Sequence, residues 1–514
     1  MDREKSILNV TTSILSRILL LISALIVRRL LIEHIGNDVN GLNSLYTSII
    51  GMLAVAELGI GSAIVYSMYK PIIDGDQKKV AALYGLYTRL YRVIGAVILI
   101  AGLAVMPFLP GLISDYEELN VNVYITFGLS LISVVLSYLY GAKTSLIEAY
   151  KDNYLTTVIM TIGHLIQYGL QTVAILLFRS FPLFLICQII ATVLIWILTE
   201  IIVRKRHEEI ITMHEAVDSS TRSEVTKNIK AMFMHKIGTV MVNTVDSIII
   251  SAFVGVVILG KYSNYNLIIS VMAGTIALFF SPLTSVVGHL CAGGDAIKIK
   301  GAFDHFYCIN YILGVVFFLG YYAVIDSIIR LCFGIGLEMS RSISFIITLD
   351  GFTKFMRQTA LLFRNASGSF YYDRWKPIAE GIVNLILSLL FVQVFPEDKK
   401  VVGVIVATII TTLLICHIVD PYVVYKHVFN KSVNKYWLKN YSYIALFVAG
   451  MVAVTYLGQQ RNSNVAELFL NGIISIGVSM IILGAVSIID QSFRSEIITM
   501  GRKVMNWRRN MKRI

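Results

Sequence analysis

Apolar runs of about twenty residues or more recur along the whole chain, divided by short polar connections. A run of that length crosses a ~30 Å hydrocarbon core as a single helix. Fourteen such segments can be marked, near 7–31, 42–69, 83–109, 121–147, 154–178, 183–203, 229–254, 262–289, 305–333, 341–366, 376–395, 401–425, 441–458 and 465–489. The pattern predicts an all-α, polytopic membrane protein with about 14 transmembrane helices. The first run is too long for a signal-peptide core and lacks a small-residue cleavage site, so it reads as the first spanning helix.

Composition agrees with this pattern. Of 514 residues, 56% are hydrophobic and 15% charged, against about 25% charged in soluble globular domains. Mean hydropathy is +0.73. The formal net charge of +12 does not require nucleic acid, because cytoplasmic connections of membrane proteins collect Lys and Arg. The basic connection "IIVRKRHEEI" (201–210) and the basic tail "GRKVMNWRRNMKRI" (501–514) fall on one side under an even number of spans, and the acidic "PGLISDYEELN" (110–120) on the other. Both termini are therefore expected in the cytoplasm. The five Cys, at 187, 291, 308, 332 and 416, show no paired spacing, so neither a disulfide framework nor a zinc site is indicated. No H-E-x-x-H, C-x-x-C, G-x-S-x-G or P-loop pattern occurs; "GGD" (293–295) reads as a turn. No metal, cofactor or enzymatic chemistry is implied.

The halves of the chain resemble each other. A shift of 219 residues aligns Gly41, Ser44 and Tyr46 with Gly260, Ser263 and Tyr265, Arg17 with Lys236, and Gly75-Asp76-x-x-Lys79 with Gly294-Asp295-x-x-Lys298. A shift of 221 aligns Lys143 with Arg364 and Asp152 with Asp373. A repeat spanning six helices keeps its orientation, which is the arrangement of transporters that hold substrate between parallel halves and rock them for alternating access. The expected organisation is a six-helix lobe at 1–204, a cytoplasmic linker at 205–228, a second six-helix lobe at 229–426, two extra helices within 427–489 and a basic tail at 490–514.

Ionisable residues inside spans locate the candidate chemistry, since one charge at the bilayer centre costs about 2.5–3.5 kcal/mol even on the lenient insertion scale. The tenth span, "SISFIITLDGFTKFMRQTALLFRNA", carries Asp350, Lys354, Arg357 and Arg364. At about 100° per residue, these lie within an arc of roughly 80°. Two readings compete: an interhelical ion-pair network, with Asp350 and Lys354 as a local i,i+4 pair, and a hydrated cationic cavity. One carboxylate within the span cannot neutralise three cations, which favours the cavity. The seventh span adds Lys236, Thr239, Asn243 and Asp246 on one face, and the first adds Arg17. Lys143, at the cytoplasmic end of the fourth span, can snorkel. His164 is a lone histidine on an apolar helix and reads as packing. A cavity biased towards Arg and Lys suits an anionic ligand, and Arg suits phosphate through its forked donors.

The second span holds "ELGIGS" at 57–62: a carboxylate, Glu57, followed by Gly59 and Gly61. No strand precedes it, so a phosphate loop is excluded. Gly59 and Gly61, with Pro282 in the matched eighth span, are candidate hinge positions. Glu57 aligns with Ile276 and so belongs to one half only. Glu57, Asp246 and Asp350 are candidates for coupling to H⁺ or Na⁺, because a carboxylate in a low dielectric can hold a proton near neutral pH.

The segment "AELGIGSAIVYSMYKPIIDGDQKKVAALYGLYTRLYRVIG" (56–95) resembles helices two and three of polysaccharide flippases of the Wzx type, within the multidrug/oligosaccharidyl-lipid/polysaccharide exporter superfamily. "SRILLLISALIVRRLLIEHIGNDVNGLNSLYTSI" (16–49) is similar to that family's start. The resemblance implies two six-helix lobes around a central cationic cavity, in a bacterial cytoplasmic membrane. It implies transport of an undecaprenyl-diphosphate-linked oligosaccharide to the external leaflet, with surrounding lipids and a polysaccharide polymerase and chain-length machinery as partners. Basic residues facing the cavity would serve that substrate, here Arg17, Lys236, Lys354 and Arg357. "LSR" (15–17) also resembles the start of lipid II flippases, which stay an alternative beside a multidrug or cation antiporter of the same superfamily. A membrane-embedded polymerase fits less well, because the external segments are too short to carry a catalytic domain.

Overall fold

The computed structural model describes residues 2–57, 60–213, 215–218, 244–280, 283–458 and 465–511. Every regular element among them is helical, and ten helices are long and apolar enough to cross a membrane. The chain is a multi-pass membrane protein. It divides into two compact units, Met1–Ser263 with Cys332–Gly334, and Asn264–Leu331 with Ile335–Ile514. Lys236, Thr239, Asn243, Gly59, Ser281 and Pro282 lie outside the described residues.

In the first unit, α1 (Asp2–His34) leads to α2 (Asn37–Leu53), a 3-10 turn (Ala54–Glu57) and α3 (Ile60–Ile73). The 3-10 turn at Ala54–Glu57 interrupts the second span. Long helices follow: α4 (Gln77–Val105), α5 (Val123–Ala149), α6 (Asn153–Val173) and α7 (Phe181–Thr212). Their starts are written in the sequence: Asn122 accepts from the Ile125 amide at 3.1 Å and Ser180 from Leu183 at 3.4 Å, satisfying amides that a helix N-terminus leaves open. α5 packs on α4 and α7, and α1 on α6. The short α8 (Thr244–Phe253) and the beginning of α9 (Val256–Phe280) complete the unit. The repeat-matched glycines meet here. A Cβ on Gly41 would stand 1.8 Å from the Val256 carbonyl oxygen, and one on Gly260 2.5 Å from that of Asn37.

In the second unit, α9 is followed by α10 (Leu283–Ala292), then α11 (Ala296–Phe333), α12 (Arg341–Met356), α13 (Gln358–Ala366), α14 (Lys376–Val394), α15 (Lys400–Thr411) and α16 (His417–Val424). α17 (Asn434–Leu457) and α18 (Val465–Ile489) are the helices without a repeat partner, and α19 (Gln491–Met511) carries the basic tail. The core of this unit is aromatic. Phe303, Tyr307, Tyr311, Phe318 and Tyr322 recur at helical spacing along α11 and are almost fully buried. Against them pack Tyr436, Tyr443 and Phe447 of α17, and Phe447 stacks on Phe352 of α12 with ring centroids 3.6 Å apart. Such burial is the main favourable term wherever side chains leave water or lipid for a close-packed interior.

The G-D-x-x-K matches fold identically. Gly75 and Gly294 have φ of 71° and 70°, the left-handed region that favours glycine. Asp76 then accepts from the Lys79 amide at 2.9 Å, and Asp295 from the Lys298 amide at 3.1 Å, capping α4 and α11. The Lys298 backbone N–H holds Asp295 below its ordinary carboxylate range, with the Lys298 side chain adding to it.

Candidate functional site

The tenth span breaks at one of its own charges. α12 ends at Met356 and α13 starts at Gln358, leaving Arg357 at the junction. Breaking a helix frees carbonyls that must find other donors. The fully buried Asn310 of α11 reaches those of Phe355 and Met356, at 3.3 and 3.4 Å.

Arg357 donates through Nε to Asp420 Oδ2 at 3.0 Å and through Nη1 to Glu380 Oε1 at 3.3 Å. About two turns further on, Arg364 Nη1 donates to Asp373 at 2.5 Å and reaches Asp420 Oδ1 at 3.5 Å. Lys376, at the start of α14, donates to Asp420 Oδ1 at 2.6 Å and lies 3.9 Å from Glu380. Asp420 has no exposed surface, and Arg364, Asp373, Lys376 and Glu380 are all buried. Three cations face three carboxylates. The surplus positive charge expected from the tenth span is cancelled at Arg357 and Arg364 by acids that α14, α16 and the connection before α14 supply. Arg357 and Arg364 stand in an interhelical ion-pair network centred on Asp420, which the sequence reading did not single out.

His417, one turn before Asp420, extends the polar cluster. Tyr307 donates to Asn440 Oδ1 at 3.0 Å, which turns the Asn440 amide nitrogen to His417 Nδ1 at 2.8 Å. Nδ1 is therefore the acceptor, and Nε2–H donates to the Thr353 carbonyl at 3.0 Å. The imidazole is held neutral in one tautomer by its neighbours. Both Asp420 and His417 sit in "CHIVDPYVV", and Glu380 in "IAEGIVN". Each is an ionisable residue inside an apolar span, so the rule that marked the tenth span marks these too.

Lys354 and Asp350 carry the other two charges of the tenth span. They pair with each other at 2.7 Å, with the Lys354 side chain 31% exposed. The second Asp350 oxygen is buried and has no hydrogen-bond partner among the described residues.

In the first unit Glu57 sits in a cage of hydroxyls. Tyr91 of α4 donates to Oε1 at 3.0 Å and Tyr138 of α5 to Oε2 at 2.7 Å. Tyr87 donates to the Tyr91 hydroxyl at 3.0 Å and lies 3.1 Å from Ser145 Oγ. Two glycines make room: a Cβ on Gly61 would come within 2.7 Å of the Tyr87 hydroxyl, and one on Gly141 within 2.2 Å of the Tyr91 ring. Tyr87 and Tyr91 are four residues apart on one helix face, the only local sign of the cage that the sequence offers. Lys143 pairs with Glu200, which also takes Arg204 at 2.6 Å. Asp152 takes Arg206 at 3.0 Å. His164 bonds within its own helix, to the Met160 carbonyl at 2.7 Å. Arg17 is exposed on α1 and Asp246 is buried on α8.

Comparison with solved structures places the architecture. The lipid II flippase MurJ in an inward closed conformation is similar over 93% of this chain and 98% of its own, with TM-score 0.60 and 14% identity. An inward-facing multidrug MATE transporter of the MOP superfamily is similar over 83% of this chain and 95% of its own, at TM-score 0.59 and 11% identity. A Vibrio cholerae MATE transporter gives 83% and 99%, TM-score 0.57 and 13% identity. This chain shares their fold. No family model matches the sequence, and no curated protein matches it either.

Proposed function

We propose that the chain is a flippase that moves an undecaprenyl-diphosphate-linked oligosaccharide from the cytoplasmic to the external leaflet by alternating access. The observation that carries the proposal is the extent of the shared fold. The lipid II flippase structure covers 93% of this chain and the MATE structures 83%, a margin of roughly fifty residues, about the length of two spanning helices. The Wzx-like segment at 56–95 supports an oligosaccharide head group rather than a drug. α17 and α18 would lie along the polyprenyl tail.

The diphosphate site is assigned to Lys354, with Arg17 and Lys236 as repeat-matched bases. Arg357 and Arg364 would serve by fixing the broken tenth span rather than by binding phosphate, since their side chains are largely buried among carboxylates, whereas Lys354, though paired with Asp350, keeps a partly exposed side chain. Glu57, Asp246 and Asp350 are the proposed sites for H⁺ or Na⁺ coupling. Export would deliver repeat units to a polymerase on the far side of the membrane.

The test is accumulation of lipid-linked glycan. Lys354→Gln combined with Arg17→Gln should trap the lipid-linked unit on the inner leaflet while protein levels stay normal. Wild-type export by that variant would overturn the assignment. The fold also favours a second reading, a lipid II flippase. The composition of the trapped lipid separates the two: a repeat unit of surface polysaccharide supports the first, and a peptidoglycan precursor the second.

A further inference from the structure

The corner between α16 and α17 holds a site outside the transport reading. The spanning segment Glu397–Phe429 ends there and the next, Asn434–Leu457, begins, so the corner lies where hydrocarbon gives way to water. Asn430 turns the chain at φ 50°, and Ser432 Oγ accepts from the Asn434 amide at 3.4 Å. The turn encloses a cavity of about 410 Å³ lined by Tyr422, Lys426, Asn430, Lys431 and Trp437, among others.

The lining is cationic without compensation. No acidic residue occurs between Asp420 and Glu467, while Lys426, Lys431, Lys435 and Lys439 do. Among the described residues, Lys439 pairs with Asp490, but no carboxylate pairs with Lys426 or Lys431. Lys426 has only the Tyr422 hydroxyl at 2.9 Å and its ring at 5.2 Å. The Trp437 indole N–H is buried and has no acceptor among the described residues, so it is the ring of Trp437 that faces the pocket's other lining residues. Two cations without carboxylate partners and two amphipathic aromatic rings at the headgroup level define a ligand that is anionic and available at the membrane surface.

We propose that this corner binds the phosphodiester headgroup of an anionic phospholipid, with the Lys426 and Lys431 ammonium groups on the phosphate and the Tyr422 and Trp437 rings beside them at the headgroup level. Basic pockets at the ends of spanning helices bind anionic headgroups by the same electrostatics. The site needs only that the chain span a membrane, and it does not depend on which substrate is flipped.

The experiment uses the purified full-length chain, with retained lipid read by native mass spectrometry from equal phosphatidylglycerol and phosphatidylcholine. The wild type should keep phosphatidylglycerol preferentially. Lys426→Gln with Lys431→Gln should cut that preference by about thirtyfold, from the contribution of two lysines near an anionic surface. Lys426→Arg with Lys431→Arg should restore it, and Lys78→Gln with Lys79→Gln, at another span end, should leave it unchanged. An unaltered preference in the Lys426/Lys431 glutamine variant overturns the site. Displacement of phosphatidylglycerol by inorganic phosphate would overturn the lipid and leave a free-phosphate site. The non-transporting Lys354→Gln/Arg17→Gln variant should hold lipid as the wild type does, which separates failure of this site from failure of the flippase reading.

Discussion

Asp420→Asn is the sharpest probe of the charge cluster in the second unit. The substitution keeps the volume and one acceptor oxygen but removes the charge that faces Arg357 at 3.0 Å, Lys376 at 2.6 Å and Arg364 at 3.5 Å. The side chain has no exposed surface, so water cannot replace it. Breaking a buried pair by removing one partner typically costs about 3–5 kcal/mol, because the other charge stays buried and uncompensated. Glu380 and Asp373 still hold Arg357 and Arg364, so Lys376 bears most of that cost. For a cooperative unit of roughly 250 residues, the cost corresponds to a fall in Tm of about 6–10 °C. The assay is thermal unfolding of the purified chain in detergent, followed by intrinsic fluorescence. Lys376→Met added to Asp420→Asn should recover much of the loss, since buried cation and buried anion are then removed together. In a double-mutant cycle the coupling should exceed about 1.5 kcal/mol. A Tm within one or two degrees of wild type for Asp420→Asn would refute the reasoning, as would additivity of the two substitutions.

Other outcomes follow from the same geometry. Gly41→Ala should block folding or lower yield severely, because its Cβ meets backbone at 1.8 Å rather than a movable side-chain tip; overpacking of this kind costs about 1–3 kcal/mol or more, read as loss of monodisperse protein. Gly141→Ala displaces the Tyr91 ring and should abolish transport to the same degree as Glu57→Gln, whereas Tyr138→Phe removes one of two hydroxyls and should reduce it less; equal activity of all three would remove any role for the cage. At the membrane surface, burial alone would raise Asp490, but hydrogen bonds from Lys439, Ser492 and Tyr443 hold its folded-state carboxyl well below the ordinary range. Its contribution is therefore present above the unfolded pKa of about 3.9 and lost as pH falls through the lower folded value. Asp490→Asn should lower Tm at pH 7, and its gap to wild type should close on acidification below about pH 4; a gap of constant size across that window would contradict the linkage.

Much of this fold is legible in the chain because a membrane helix is specified locally, by a long apolar run and a capped or interrupted end. The Ala54–Glu57 turn, the Asp76 and Asp295 caps and the helical character of every described span all follow from short stretches. The charge balance does not. The arc formed by Asp350, Lys354, Arg357 and Arg364 is a property of one helix, and it says nothing about which side chains face it. Glu380 and Asp420 are each the one carboxylate of their spans, and neither span shows that they meet until the helices are packed. The tyrosine cage is hidden for a similar reason. Tyr138 and Glu57 are 81 residues apart, and neither carries a sign of the other.

The paired G-D-x-x-K turns have a consequence for how the molecule can be rebuilt. Both use a left-handed glycine, the same aspartate cap and the same lysine amide, and no Cβ contact constrains either glycine from outside. They are interchangeable parts. A chain with residues 75–79 and 294–298 exchanged should assemble and work as before. An exchange carried upstream to position 57 should not, because Ile276 would then stand where two tyrosine hydroxyls need a carboxylate. The boundary between those two outcomes would mark where the matched segments stop being interchangeable and take separate duties.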